Sequence, residues 1–452
     1  MKKKNFFEAY TPYIEKKSKI PTWLYEKYNV KRGLRNIDGT GVLVGLTEIG
    51  EVHGYILDEG EKVPRKGRLL YRGININEIV DGFQRDRRFG FEETTYLLLF
   101  SELPTKQYLI EYAQALGEKR SLPDNFTEDM ILKAPSPNIM NKLARAVLAL
   151  YSYDEDPEAL TIRNILRQSV EIIARFPILV AYAYQAKRHY YEGDSLFLHA
   201  PDPDLSTAEN FLQMIRPDKK YTALEAEMLD LAFVLHAEHG GGNNSAFSIH
   251  VVSSSNTDTY SAIAAAIGSL KGGKHGGANI KVMEMMEDIK ENVSDWANED
   301  EVRDYLKKIL KKKAFDKSGL IYGLGHAVYT LSDPRAVLMK QKAATLARAA
   351  GSENEYNLYT IIERVAPDVF REVKKTDKPI CVNVDFYSGF VYRMLNIPKE
   401  LYTPLFAIAR VSSWCAHRIE ELVSGGKIIR PAYKSVKSRR PYVELGKRTG
   451  EE

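Results

Sequence analysis

Cysteine is almost missing. The 452 residues contain two, Cys381 and Cys415, far apart in the chain. A disulfide framework is not expected, and a reducing, cytoplasmic setting is. Long apolar runs are missing too. No stretch approaches the ~18 apolar residues of a membrane-spanning helix. The start, MKKKNFFEAY, is basic, but Glu8 and Glu15 follow where a signal peptide would have its apolar core. Net charge is low: 64 Lys and Arg stand against 60 Asp and Glu, a formal +4. That speaks against a dedicated nucleic-acid binder, whose cations concentrate on one face. The excess sits at the ends, with ten Lys or Arg against three Glu in residues 1–35 and eight against three from Lys427 onward. These read as solvated termini, or as cations that meet an anionic ligand or a second subunit.

What is present allows a large core: 44% apolar and 27% charged residues, in a length that suits two or three domains. GVLVGLTEIGEVHGYILD combines β-branched residues, Gly and short alternations, so two or three short strands are expected within 40–75. Beyond that the pattern is helical almost everywhere. FEETTYLLLFSELP reads as a helix stopped by Pro104. The long periodic run around Pro177 reads as one kinked helix or two in sequence. ALEAEMLDLAFVLHAEH is a helix running into three glycines, and Asp333 before Pro334 is a cap-plus-proline start. The class is mainly α with a small N-terminal β element.

Histidines gather beside glycines: His236 and His239 in HAEHGGGNN, His275 in KGGKHGGAN, His326 in YGLGHAVY. Glycine lets backbone approach a ligand and adopt positive φ, which a packed core histidine does not need. GSLKGGKHGGAN has the G-x-x-x-x-G-K spacing of a phosphate loop, but His275 stands where the Mg²⁺-binding hydroxyl belongs. The preceding SAIAAAIGSL is also too helix-favouring for a central strand. His236 and His239, three apart on a helix, would share a face, but a metal would need a third ligand. In CVNVDFYSG, Asp385 reads either as a helix cap or as a partly buried base with a raised pKa. Arg335, Arg410 and Arg430 lie in SDPRA, LFAIARVSSW and IIRPAYKS. Arg410 within an apolar stretch calls for an anion, either internal or a ligand. Three converging guanidinium groups would suit a small polycarboxylate.

HAEHGGGN, GGKHGGAN, GLGHAVYTLSDPRA, VNVDFYSG, LFAIARVSSW and IIRPAYKS, in this order across about residues 40–435, together resemble the citrate synthase family. The resemblance implies a two-domain helical fold. Residues 1–35 would be a basic extension, 36–280 with 391–435 a large dimer-forming domain, 281–390 a small domain and 436–452 a tail. It implies His275 at the acetyl-CoA thioester oxygen, His326 at the oxaloacetate carbonyl and Asp385 as the base. His239, Arg335, Arg410 and Phe406 would bind oxaloacetate, with Arg430 supplied by the other subunit of a homodimer. Gly323, Gly325, Asn383 and Lys378 would meet coenzyme A. No metal and no tightly bound cofactor is implied, and neither nucleic acid nor membrane is an expected partner.

The chain departs from the family at Gly240, where many relatives have Glu, and at Thr330 and Leu331, where relatives often have a basic residue for the coenzyme A phosphates. The implied reaction joins acetyl-CoA and oxaloacetate and hydrolyses citryl-CoA. The alternatives are a 2-methylcitrate synthase using propionyl-CoA, a non-catalytic coenzyme A or carboxylate binder, and a nucleotide hydrolase.

Overall fold

The computed structural model describes residues 6–36, 39–58 and 61–448. Helices dominate it. The sheet among the described residues has three antiparallel strands in the order β1-β2-β3: β1 Gly50–Asp58, β2 Glu61–Tyr71 and β3 Ile74–Asn75. This is the β element expected within 40–75. The β1–β2 register shifts between His53, opposite Arg68, and Tyr55, opposite Pro64. Residues 65–67 thus oppose Gly54 alone, two residues more than even pairing needs, a bulge that frees the Gly67 N–H to donate to Ser332 Oγ at 3.2 Å. A Cβ on Gly54 would lie 2.3 Å from the Val328 carbonyl, and one on Gly67 2.2 Å from that of Ser332. Glycine here lets the bulged ribbon press against residues 328–332.

The chain forms two compact units. The first holds residues through Pro104, Thr222–Gly241 and Gly277–Tyr402; the second holds Thr105–Tyr221, Gly242–Gly276 and the chain from Thr403. The expected small domain, 281–390, falls whole within the first unit.

In the first unit, the helix Val384–Met394 packs against Pro334–Ala349 and Ala278–Asn292. Phe386 and Phe390, on its inner face, meet Tyr359 with ring centroids 5.2 and 5.0 Å apart. The helix Phe91–Phe100 ends before Pro104, because Ser101 turns left-handed at φ 69°. The N–H groups of Gly90 and Phe91, at its start, donate to the buried carboxylate of Asp230.

In the second unit, Ile162–Lys187 runs through Pro177 as one continuous helix. The part of Tyr402–Val423 from Thr403 onward forms an apolar spine. Leu405, Ile408, Val411 and Trp414 are buried, and the Trp414 ring meets Phe176 edge-on. The buried Arg418 is accommodated because its guanidinium donates to Thr259 Oγ1, Ser253 Oγ and the Thr257 carbonyl.

Candidate active site

Three of the sequence-predicted residues stand around one aromatic ring in the first unit. The loop from Gly323 carries His326, and Tyr329 lies stacked on it, centroids 4.6 Å apart and planes 25° apart. His239 meets both rings edge-on, at 5.0 Å from His326 and 5.6 Å from Tyr329. The Arg335 guanidinium lies 5.9 Å from the Tyr329 centroid. His239 and His236 do not share a helix face. The helix Ala223–His236 ends at His236, and His239 lies beyond its cap in the glycine loop.

The protonation of His326 can be read from its neighbours. Its Nδ1 accepts from the backbone N–H of Val328, at 3.0 Å, and of Tyr329, at 3.1 Å. A nitrogen that accepts two bonds carries no proton, so the ring's proton sits on Nε2. Burial, and then the charge of Arg335, lower its pKa to about 4. His326 is therefore a neutral imidazole near pH 7 and presents an Nε2–H donor.

The loop of His326 is tied to the segment that carries Asp385. Leu324 and Val382 form an antiparallel bridge. Gly325 N donates to the Cys381 carbonyl at 2.7 Å, and Asn383 N to that of Gly323 at 2.9 Å. The Asn383 side chain completes the tie. Its Nδ2 donates to the Gly325 carbonyl at 2.9 Å, and its Oδ1 accepts from Asp385 N at 3.0 Å. Asn383, not Asp385, thus caps Val384–Met394, and Asp385 occupies the first turn. Gly323 and Gly325 have φ of 79° and 97°, which other residues rarely adopt. Lys378 is exposed, three residues before Cys381.

Asp333 holds this arrangement together. Its Oδ1 accepts from Arg335 N and Nε, and its Oδ2 from Arg335 Nη2 at 2.7 Å and Val384 N at 3.2 Å. The two oxygens grip one edge of a guanidinium that is 4% exposed. Burial opposes the charge of Arg335, but the Asp333 carboxylate outweighs it and raises the guanidinium's pKa further.

The second unit holds the other four predicted residues. His275 Nε2 lies 3.2 Å from Ser245 Oγ. That oxygen also accepts from Trp414 Nε1 at 3.1 Å and lies 2.8 Å from Asn243 Oδ1. Burial first, and then the charge of Arg410, lower the His275 pKa to about 4. Arg410 is fully buried on the same helix as Phe406, with its guanidinium 4.8 Å from that ring. Arg430 is exposed. Sequence reasoning passed over Tyr329 and Ser245, which carry no local signal, and took Asp333 only as a helix cap.

The fold and these loops define an enzyme class: acyltransferases that form a carbon–carbon bond. The family model described as citrate synthase, C-terminal domain, matches residues 36–432, and the chain belongs to the citrate synthase family. It is 35% identical to a citrate synthase of Haloferax volcanii over 412 residues, covering 89% of this chain and 94% of the relative. It is 33% identical to 2-methylcitrate synthase 1 of Corynebacterium glutamicum over 429 residues, covering 93% and 99%. Among solved structures, the citrate synthase of Pyrobaculum aerophilum superposes with a TM-score of 0.74 at 30% identity, covering 91% of this chain and 95% of that one. That of Thermoplasma acidophilum, solved as a ternary complex with carboxymethyl coenzyme A and oxaloacetate, gives 0.74 at 25% identity, covering 92% and 99%.

Proposed function

We propose that the protein condenses acetyl-CoA with oxaloacetate and hydrolyses the resulting citryl-CoA to citrate and coenzyme A. The observation that carries this reading is the tie between the two loops. A neutral imidazole with its proton fixed on Nε2 is joined, through Asn383, to the turn that carries Asp385. The acetyl methyl is a weak carbon acid. Removing its proton calls for a carboxylate on one side and a hydrogen-bond donor at the thioester oxygen on the other. Asp385 takes the proton, and His275 donates to the oxygen so that an enol forms rather than a full enolate.

The enol carbon then attacks the oxaloacetate ketone, whose oxygen receives the His326 Nε2–H. Arg335, Arg410 and His239 hold the keto acid against Phe406, and Arg430 of the partner subunit in a homodimer adds the last guanidinium. Asp333 already occupies one edge of Arg335, so the ligand takes what remains of its fork. Gly323, Gly325, Asn383 and Lys378 receive coenzyme A. Water then cleaves the citryl thioester, with no metal or redox cofactor needed for any step. Residues 281–390 form the small domain that closes over the bound keto acid, so oxaloacetate binds first. Two free cysteines fit a reducing cytoplasm.

Release of free thiol from acetyl-CoA, dependent on added oxaloacetate, tests the reading. Asp385→Ala is expected to abolish it while oxaloacetate binding stays measurable by calorimetry. Turnover that survives in this variant would remove Asp385 from its role. The similarity to a 2-methylcitrate synthase favours a second reading, in which propionyl-CoA is the better substrate. One methylene is worth about 1–3 kcal/mol in an apolar pocket, so kcat/KM for the two thioesters separates the readings.

A further inference from the structure

Two imidazoles in the second unit, with no part in the chemistry above, point at each other. His250 lies on the helix Asn244–Ser253 and His417 on Tyr402–Val423. His250 Nε2 is 3.1 Å from His417 Nδ1. Glu420 Oε2 lies 3.8 Å from the same Nδ1. One ligand atom from each of His250, His417 and Glu420 lies within 4.8 Å of the other two. On the far side of the His250 ring, Nδ1 is 2.8 Å from Glu421 Oε2. His417 is fully buried, and the other side chains are 13–15% exposed.

The Glu421 carboxylate can only accept, so it takes the Nδ1–H of His250. In the neutral ring, Nε2 is then a bare lone pair aimed at His417. A proton on His417 Nδ1 would account for the pair of rings. Glu420, one helical turn beyond His417, brings a second carboxylate to the same point. The set is one a divalent cation uses: two imidazole nitrogens and a carboxylate oxygen as ligands, and an outer carboxylate that fixes the tautomer of one histidine. Four-coordinate zinc with bonds of about 2.0–2.2 Å has ligand–ligand edges of about 3.3–3.6 Å, and the two edges at His417 Nδ1 are 3.1 and 3.8 Å.

We propose that His250, His417 and Glu420 form a divalent-metal site of the zinc type, with Glu421 orienting His250 and a fourth position open to water. Nitrogen ligands favour Zn²⁺ or Co²⁺ over Mg²⁺ or Ca²⁺. The metal would link two helices that are also joined by the Trp414–Ser245 bond beside His275.

The test uses the full-length chain, stripped with chelator and dialysed. Calorimetric titration with Zn²⁺ is expected to give one site per chain and a raised Tm, and Co²⁺ the intense visible absorption of a four-coordinate site. His250→Gln and Glu420→Gln are expected to lose all three signals while melting cooperatively without metal. Glu421→Gln is expected to weaken binding about 10–100-fold. His326→Asn is expected to keep the site, which separates it from the His239–His326 pair. Absence of stoichiometric Zn²⁺ binding, or binding unchanged by His250→Gln and Glu420→Gln, overturns the proposal and leaves a proton shared between two histidines.

Discussion

Tyr329 lies flat on His326, with ring centroids 4.6 Å apart. The contact sets the tilt of the imidazole, while the backbone bonds to Nδ1 set its proton. The Tyr329 hydroxyl is buried and has no hydrogen-bond partner in the structure. The ring and the hydroxyl therefore make separate contributions. Tyr329→Phe keeps the stack and removes an unsatisfied polar group, a cost of about 1–3 kcal/mol, so its Tm is expected to equal or exceed that of the parent. Tyr329→Ala frees the imidazole, and a displacement of about 1 Å at a reacting group costs about 100-fold in kcat. Thermal melts and steady-state kinetics on the two variants check both halves.

The pKa values of the two histidines make a prediction about acid. His326 and His275 each have a folded pKa of about 4, lowered mainly by burial. In the unfolded chain each lies near about 6.5. Between these values the unfolded state takes up protons that the native state refuses. Stability from this source is therefore full above the unfolded value and is lost as pH falls toward the folded one, by about 3 kcal/mol for each histidine at the limit. His326→Asn is expected to flatten the fall in Tm between about pH 7 and pH 5. The pH profile of kcat/KM is expected to show no inflection near 6.5 from either group. A steep fall in Tm unchanged by His326→Asn would mean that the ring titrates normally.

The buried pair Asp333–Arg335 has a clear failure mode. Asp333 is 1% exposed and serves Arg335 and the N–H of Val384 together. Asp333→Ala leaves a guanidinium buried without its counter-charge, which costs about 3–5 kcal/mol. Denaturant unfolding is expected to show that loss. Arg335→Lys keeps the charge but cannot match both carboxylate oxygens, so it is expected to lose oxaloacetate affinity with a smaller change in stability.

What the sequence disclosed follows from the range of the forces involved. Local signals held up: the Asp333–Pro334 helix start, the β ribbon within 40–75, and the glycines at positive φ beside His326. Each depends on residues a few positions apart. The cap of Val384–Met394 went to Asn383 rather than Asp385, because Asn383 also satisfies the Gly325 carbonyl 58 residues away. The sequence reading took His239 as one face of a helix that in fact ends at His236. Tyr329 and Ser245 matter through partners distant in the chain, and no spacing rule reaches them. The six motifs were informative because their order survives even where their contacts cannot be read.

Ser245 brings the last prediction. Its single hydroxyl proton has two acceptors within reach, Asn243 Oδ1 at 2.8 Å and His275 Nε2 at 3.2 Å. If the proton goes to Asn243, His275 must donate from Nε2, and its Nδ1 is a bare acceptor. If it goes to His275, Nε2 is the acceptor and Nδ1 carries the hydrogen that a thioester oxygen requires. The proposed chemistry needs the second state. Ser245→Ala removes the donor that selects it, so kcat is expected to fall about 10–100-fold, as for the loss of other orienting partners. It also strands the Trp414 N–H, a cost of about 1–3 kcal/mol in stability. Because oxaloacetate is held by other residues, its dissociation constant is expected to stay unchanged. A variant that weakens oxaloacetate binding as strongly as it slows turnover would show that Ser245 supports the packing of the unit rather than the tautomer of His275.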